Sequence, residues 1–348
     1  MIGLAGGLLA GCRRSEPVGD LLFPARGVPR YEALVSASWV RAAQAYARSN
    51  GRGERPETMR HDRLVVVEAD WVPEGKSADY DREHIPGAVL MNTEDLDTGY
   101  PQWRLRDLPS LHEAIGRAGI SEETTVVVYG RQTIAAARVW WVLGYAGVRD
   151  VRMMDGGTAA WKAAGHPVES ERVTPSPVHF EAAPRDDWLV TTDQVRTRLN
   201  DPAVCFADVR SAEEFTGLAS GYQTLLAKGR LPGALHLGEA TDGSPQYFEP
   251  DGRLRAPTDV LALWKQQGLV PTGDGRRFGR DVVFYCGGGW RSSLSFFYAW
   301  LLGFDGIGHY ADGWVAWSTR FEPDPDADGP SPGWTQSPTG NPFDPGSQ

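Results

Sequence analysis

Asp281-Val282-Val283-Phe284-Tyr285-Cys286-Gly287-Gly288-Gly289-Trp290-Arg291-Ser292-Ser293 is the stretch on which the reading of this chain turns. Residues 282–285 are apolar and β-prone, which suits a buried strand, and they lead straight into a cysteine. Three glycines follow, and residues 294–302 form an apolar run of helical character. The pattern is strand, tight loop, helix, with a thiol at the carboxyl end of the strand. In open α/β sheets ligands bind at that end. A helix N-terminus there also favours an anion, a thiolate included.

Working outward, the chain repeats itself. Leu34-Val35-Ser36-Ala37-Ser38-Trp39-Val40 is echoed by Leu189-Val190-Thr191-Thr192-Asp193-Gln194-Val195, and His84-Ile85-Pro86-Gly87-Ala88 by Arg230-Leu231-Pro232-Gly233-Ala234. Val126-Val127-Val128-Tyr129-Gly130 is echoed by Val282-Val283-Phe284-Tyr285-Cys286, and Asp155-Gly156-Gly157 with Trp161 by Asp312-Gly313-Trp314 with Trp317. Four blocks in one order imply a duplication. Val-rich strand segments (64–68, 125–129, 204–209, 282–285) alternate with helical patterns (111–118, 135–143, 260–267, 294–302). That alternation predicts an α/β fold, a parallel sheet with helices on both faces in each half. The expected organisation is a signal and tether over 1–27, a first domain over 28–172, a Pro-bearing linker over 173–187, a second domain over 188–321, and a Pro/Asp/Gly-rich tail over 322–348. The tail cannot order itself independently, and Trp334 is its expected anchor.

Composition narrows the partners. A net charge of −10 without any basic block argues against nucleic acid. Three cysteines, Cys12, Cys205 and Cys286, make no disulfide framework, and no Cys-x-x-Cys or His-x-x-x-His spacing suggests a metal; no cofactor is expected. Cys205, inside a strand segment, reads as core packing. The amino end is small and apolar, and Leu9-Ala10-Gly11-Cys12 resembles a lipoprotein lipobox. That likeness implies lipidation at Cys12 and an extracytoplasmic, membrane-anchored body; no other run approaches the roughly 18 apolar residues of a membrane span.

Taken together, these residues resemble tandem rhodanese-domain sulfurtransferases. The marks are Asp208-Val209-Arg210 closing a strand, Leu231-Pro232-Gly233-Ala234, the Cys286 loop and Asp312-Gly313-Trp314. The second half is most similar to exported bacterial multidomain thiosulfate sulfurtransferases, sharing their Gly-rich Trp-Arg loop, Ser220-Gly221-Tyr222 leading to Lys228-Gly229-Arg230, and the ending Trp314 to Ser318. The resemblance implies two domains, each a five-stranded parallel sheet with helices on both faces. It implies thiosulfate sulfurtransferase activity through a Cys286 persulfide, with a small anionic sulfur donor and a thiol, cyanide or protein acceptor.

Sulfur transfer needs a stabilised thiolate. Gly287, Gly288 and Gly289, with Trp290 and Ser292, are expected to form an anion nest around the sulfur. Arg291 is expected to add charge or support the loop, with Asp208 as its expected partner. Cys286 to Arg291 is Cys-x4-Arg, one residue shorter than the Cys-x5-Arg loop of cysteine phosphatases, which argues against phosphatase or arsenate reductase chemistry. In the first half Gly130 replaces the cysteine, so that domain is expected to be catalytically silent. Arg138, ahead of Trp140 and Trp141, is expected near the cleft between domains. Arg210, Lys228 and Arg230 are further candidates for anion contact, with Asp208 beside them. Glu214 stands where tandem enzymes often carry a second arginine; facing the pocket it would repel an anionic donor, which weakens a 3-mercaptopyruvate reading. Trp290, Trp300, Trp314 and Trp317 read as core and cleft wall. A non-catalytic sulfane-sulfur carrier or partner-binding lipoprotein is the alternative.

Overall fold

The computed structural model describes residues 22–71, 77–98, 103–221, 227–238 and 246–320. Cys12, Tyr222, Trp334 and the tail over 322–348 lie outside the described residues. The first half comprises Leu34–Val35 (β1), Ala37–Arg48 (α1), Arg63–Ala69 (β2), Ala78–Arg82 (α2), Val89–Met91 (β3), Thr93–Leu96 (α3), Leu108–Arg117 (α4), Thr124–Tyr129 (β4), Thr133–Tyr145 (α5), Asp150–Met154 (β5) and Gly157–Ala163 (α6). The second comprises Thr192–Arg198 (α7), Val204–Asp208 (β6), Ala212–Thr216 (α8), Leu235–His236 (β7), Pro257–Gln266 (α9), Asp281–Tyr285 (β8), Trp290–Leu301 (α10), Ile307–His309 (β9) and Gly313–Arg320 (α11).

Helix starts follow local chemistry. Ser36 caps α1 by accepting the Trp39 N–H, Asp107 caps α4 through Ser110, and Thr191 and Ser211 open α7 and α8 with full capping boxes. The central strands β4 and β8 are Val-rich and buried, as strands covered on both faces must be.

The first sheet runs β1-β5-β4-β2-β3, all parallel, and the second β7-β6-β8-β9. Overlaid by order, the second lacks only the counterpart of β1. Its place is taken by a single parallel bridge, Leu189 to His309, with the Val190 N–H donating to the His309 carbonyl at 2.9 Å. The strand is this short because Thr191 already caps α7 and pulls the chain out of the sheet. The duplication extends to buried polar groups. Tyr129 donates to Glu68 and accepts the Ile85 N–H at 2.9 Å; Tyr285 sits against Asp208 and accepts the Leu231 N–H at 3.2 Å.

The segment expected as a linker is tied to the first half. The Val178 N–H donates to the Gly116 carbonyl at 2.9 Å, Arg185 N–H to Tyr145 at 2.8 Å, and Phe180 is buried. The halves meet along α5, apolar nearly all round, and α10, which buries Ser292, Ser293 and Ser295 among its apolar residues. Trp140 packs edge-on against Phe297 (4.7 Å) and Trp300 (5.1 Å) and stacks on Trp188 (5.4 Å). Each half also reaches into the other's Asp-Gly turn: the Leu105 N–H donates to Asp312 at 3.2 Å and the Leu254 N–H to Asp155 at 2.8 Å. No helix among the described residues is long and apolar enough to cross a membrane.

Candidate active site

Cys286 follows directly on β8, between β6 and β9, and is buried. Of the three glycines, Gly289 is the one whose backbone demands the residue type. It sits at φ +83° as the N-cap of α10, and a Cβ there would lie 2.1 Å from the Ala311 carbonyl oxygen and 2.8 Å from Arg138 Nη1. A Cβ on Gly288 would meet nothing within 4 Å, so the loop opens to free space at that point.

The loop rests on α11. The Cys286 carbonyl accepts the Trp314 N–H at 2.8 Å and the Gly287 carbonyl accepts the Val315 N–H at 2.9 Å. A Cβ on Gly313 would stand 2.5 Å from both carbonyl oxygens, which is why Asp312-Gly313-Trp314 recurs as a motif. In a trans peptide the N–H points opposite to the C=O. Binding these carbonyls to α11 therefore turns the Gly287 and Gly288 N–H groups the other way, as an anion nest requires. The N-terminus of α10 adds its positive end.

The charged neighbours differ from expectation. Arg291 pairs with Glu214, not Asp208: Nη1 to Oε2 is 2.6 Å and Nη2 to Oε1 is 2.8 Å. Glu214 is placed there by the capping box of α8, where its carboxylate also accepts the Ser211 N–H. Gly221 closes over it at φ +75°, where a Cβ would overlap the carboxylate. Burial alone would push the Glu214 carboxyl up, but the Arg291 hydrogen bonds and charge outweigh it and hold the group below its ordinary range. Glu214 thus spends its charge on Arg291. Asp208 is taken by Arg210, two residues on, as the chain folds back after β6: Nη2 to Oδ2 is 2.6 Å and Nε to Oδ1 is 2.9 Å. Both are wholly buried, and the Arg210 guanidinium also donates to the Gly229 carbonyl and lies 5.0 Å from the Trp314 ring. This pair lies against Trp314 and Tyr285, the residues on which the Cys286 loop is built. Lys228 donates to the Leu218 carbonyl and Arg230 to that of Phe215, whose ring it also covers, so both tie their segment to the end of α8.

Arg138 does reach the loop from the first half. It is fully buried on α5, and its Nη2 donates to Asp97 at 2.7 Å, while the other Asp97 oxygen accepts Trp290 Nε1–H at 3.0 Å. Trp290 is thereby fastened across the domain boundary. Trp314 and Trp317 are buried, and Trp300 packs at the interface with Trp140. Neither Asp97 nor His309 was marked by the sequence. His309 ends β9 and contacts Ser292 beside Cys286. The signal that would have found it is topological, since carboxyl ends of adjacent parallel strands converge on one site.

At the counterpart position a Cβ on Gly130 would sit 2.7 Å from the Ala69 carbonyl oxygen, and one on Gly157 2.1 Å from that of Gly130. The first loop is packed shut and carries no thiol. Residues 59–164 and 191–320 each match the profile of the Rhodanese-like domain. The chain belongs to the rhodanese family. Thiosulfate sulfurtransferase YnjE of Escherichia coli is 33% identical over 300 residues, covering 84% of this chain and 64% of that protein. Sulfur carrier protein TtuD of Thermus thermophilus is 30% identical, covering 73% of this chain and 93% of its own. An anaerobic ergothioneine biosynthesis enzyme from Chlorobium limicola, solved with trimethyl histidine, superposes with a TM-score of 0.75 at 29% identity over 87% of this chain and 71% of that one. This chain thus spans less than two thirds of YnjE's length, while its two rhodanese domains are both present.

Proposed function

We propose that this protein is a sulfurtransferase that carries a sulfane sulfur from thiosulfate, or a related donor, to a thiophilic acceptor on Cys286. Cys286 Sγ attacks the outer sulfur of thiosulfate; the donor's S–S bond breaks and its electron pair leaves with sulfite. An acceptor thiolate or cyanide then attacks that outer sulfur, and the pair of the Cys286 S–S bond returns to Sγ. The observation that carries the reading is the six-residue Cys-x4-Arg loop, with its carbonyls drawn onto α11 and free space at Gly288. The similarity to YnjE supports the choice of thiosulfate. Incubation with thiosulfate should add one sulfur atom to the Cys286 peptide, and cyanide should convert it to thiocyanate. Undiminished thiocyanate production by Cys286→Ala would sink the mechanism.

One observation favours a second reading, a sulfur carrier charged by a protein donor. Arg291 is engaged by Glu214, which leaves that charge balanced where a small dianion would need it, and TtuD is named a sulfur carrier. A stable persulfide on Cys286 with negligible turnover of small donors is the result that selects it. The lipobox-like Leu9-Ala10-Gly11-Cys12 further supports anchoring outside the cytoplasm, checked by radiolabelled palmitate incorporation that Cys12→Ser abolishes.

A further inference from the structure

Ser292 lies in the first turn of α10 and is fully buried. Its Oγ is 3.4 Å from Cys286 Sγ and 2.8 Å from His309 Nε2, so one hydroxyl links the sulfur to the imidazole. His309 is fixed by backbone on both sides, donating to the Trp188 carbonyl at 2.8 Å and accepting from Val190 at 2.9 Å. Its ring meets Trp141 of the first domain edge-on, with centroids 4.4 Å apart.

Burial, and then the Arg138 cation, hold the imidazole well below its ordinary value, so it is neutral and carries one N–H. Nδ1 lies near the Gly289 carbonyl, which offsets a little of that depression, but outside hydrogen-bond geometry. The Gly289 carbonyl beside it already accepts from the Ser293 N–H at 3.2 Å and from Ser293 Oγ at 2.8 Å. An orphaned buried N–H is rarer than an orphaned acceptor, which assigns the ring proton to Nε2. The serine hydroxyl has a single proton. With one of its two lone pairs taken by Nε2–H, that proton is left for Sγ.

We propose that His309 is a positioning residue that acts through Ser292: it donates Nε2–H to the serine oxygen and so aims the hydroxyl proton at Cys286 Sγ whenever the sulfur is negatively charged. This rests on the sulfur-transfer reading of Cys286. No proton changes owner. When the thiolate waits for its donor, and again when the S–S pair returns to Sγ, the hydroxyl is already turned to meet the charge, and nothing has to reorient.

The test reads Cys286 reactivity directly, by its rate of alkylation with iodoacetamide in the full chain, resolved by peptide mass at neutral pH. Ser292→Ala should slow alkylation about tenfold, the scale of one hydrogen bond to a charged group. His309→Leu should slow it similarly, while His309→Gln, whose amide N–H reaches the same oxygen, should recover most of the rate. In Ser292→Ala/His309→Leu the loss should equal that of Ser292→Ala alone. Thermal unfolding of each variant identifies any that fails to fold, and the comparison of His309→Gln with His309→Leu then decides. A His309→Leu protein that alkylates like the wild type, or losses that multiply in the double variant, would overturn the proposal. Thiocyanate formation is measured on the same samples. A wild type that alkylates at Cys286 but forms none refutes sulfur transfer without touching the His309–Ser292 result.

Discussion

Glu214 occupies a position where an acid invites suspicion, and its surroundings explain why it is tolerated. Both oxygens are engaged by Arg291, one also by the Ser211 N–H, so the buried charge is fully partnered. The pair fixes the arginine that follows the Cys286 loop, at the expense of that arginine's free charge. Glu214→Gln should therefore lower stability at pH 7 by about 1–2 kcal/mol, less than for a wholly buried pair because Arg291 is a third exposed. The sign with pH follows from the depressed carboxyl. Its contribution is complete above the ordinary glutamate value of about 4.3 and is lost as pH falls below it, because the unfolded chain then takes up a proton that the native carboxylate still resists. The gap between wild type and variant in thermal unfolding should shrink on acidification, and a gap that stays constant from pH 7 into that range would refute the pairing. If thiosulfate is the donor, the variant should also show a lower KM, since the Arg291 charge is unmasked.

At the scale of elements, α5 and α10 do what neither could do alone. Arg138 on α5 and Trp290 on α10 share Asp97, so the start of α10 is held by the domain that has no cysteine. Asp97→Asn keeps an acceptor for Trp290 but strips Arg138 of its counter-charge. Leaving that guanidinium buried and uncompensated should cost about 3–5 kcal/mol, read as a fall in the unfolding midpoint. Sulfur-transfer turnover should fall with it, and an unchanged midpoint would show that Arg138 does not depend on Asp97. What the sequence made legible here follows its periodicity. Val-rich strands, the Asp-Gly turns and the Cys-x4-Arg loop are local patterns, and each took its place in the fold. The wrong pairing of Arg291 with Asp208 came from contacts that span long sequence distances: 77 residues separate Arg291 from Glu214 and 193 separate Trp290 from Asp97. Asp208 was a reasonable choice on charge alone, but Arg210 is two residues away and claims it first. Glu214 is an odd residue for its position, and its partner is set by α8 lying against the loop. His309 gave no local sign, because its meaning comes from β9 lying beside β8.

For the whole molecule, the two rhodanese domains share one large apolar cluster, and each keeps a smaller one of its own. Val128 and Trp140 of the first half belong to the same cluster as Phe284 and Phe297 of the second, and the Leu105–Asp312 and Leu254–Asp155 contacts fasten its two edges. That shared cluster makes the cysteine-free domain a structural part of the site, since it supplies Arg138, Asp97 and the Trp141 ring against His309. The two halves should then unfold together. Trp140 is the test, being wholly buried and touching Trp188, Phe297 and Trp300 across the boundary. Trp140→Ala should cost about 3–5 kcal/mol, the usual penalty for emptying an aromatic site in a core. In urea, tryptophan fluorescence and far-ultraviolet circular dichroism should trace one coincident transition in the wild type, as all-or-none unfolding requires. The variant should shift that whole transition to lower urea. Two separated transitions, with only the first-half signal moved by Trp140→Ala, would show that the domains fold independently and that the Cys286 loop stands without its cysteine-free neighbour.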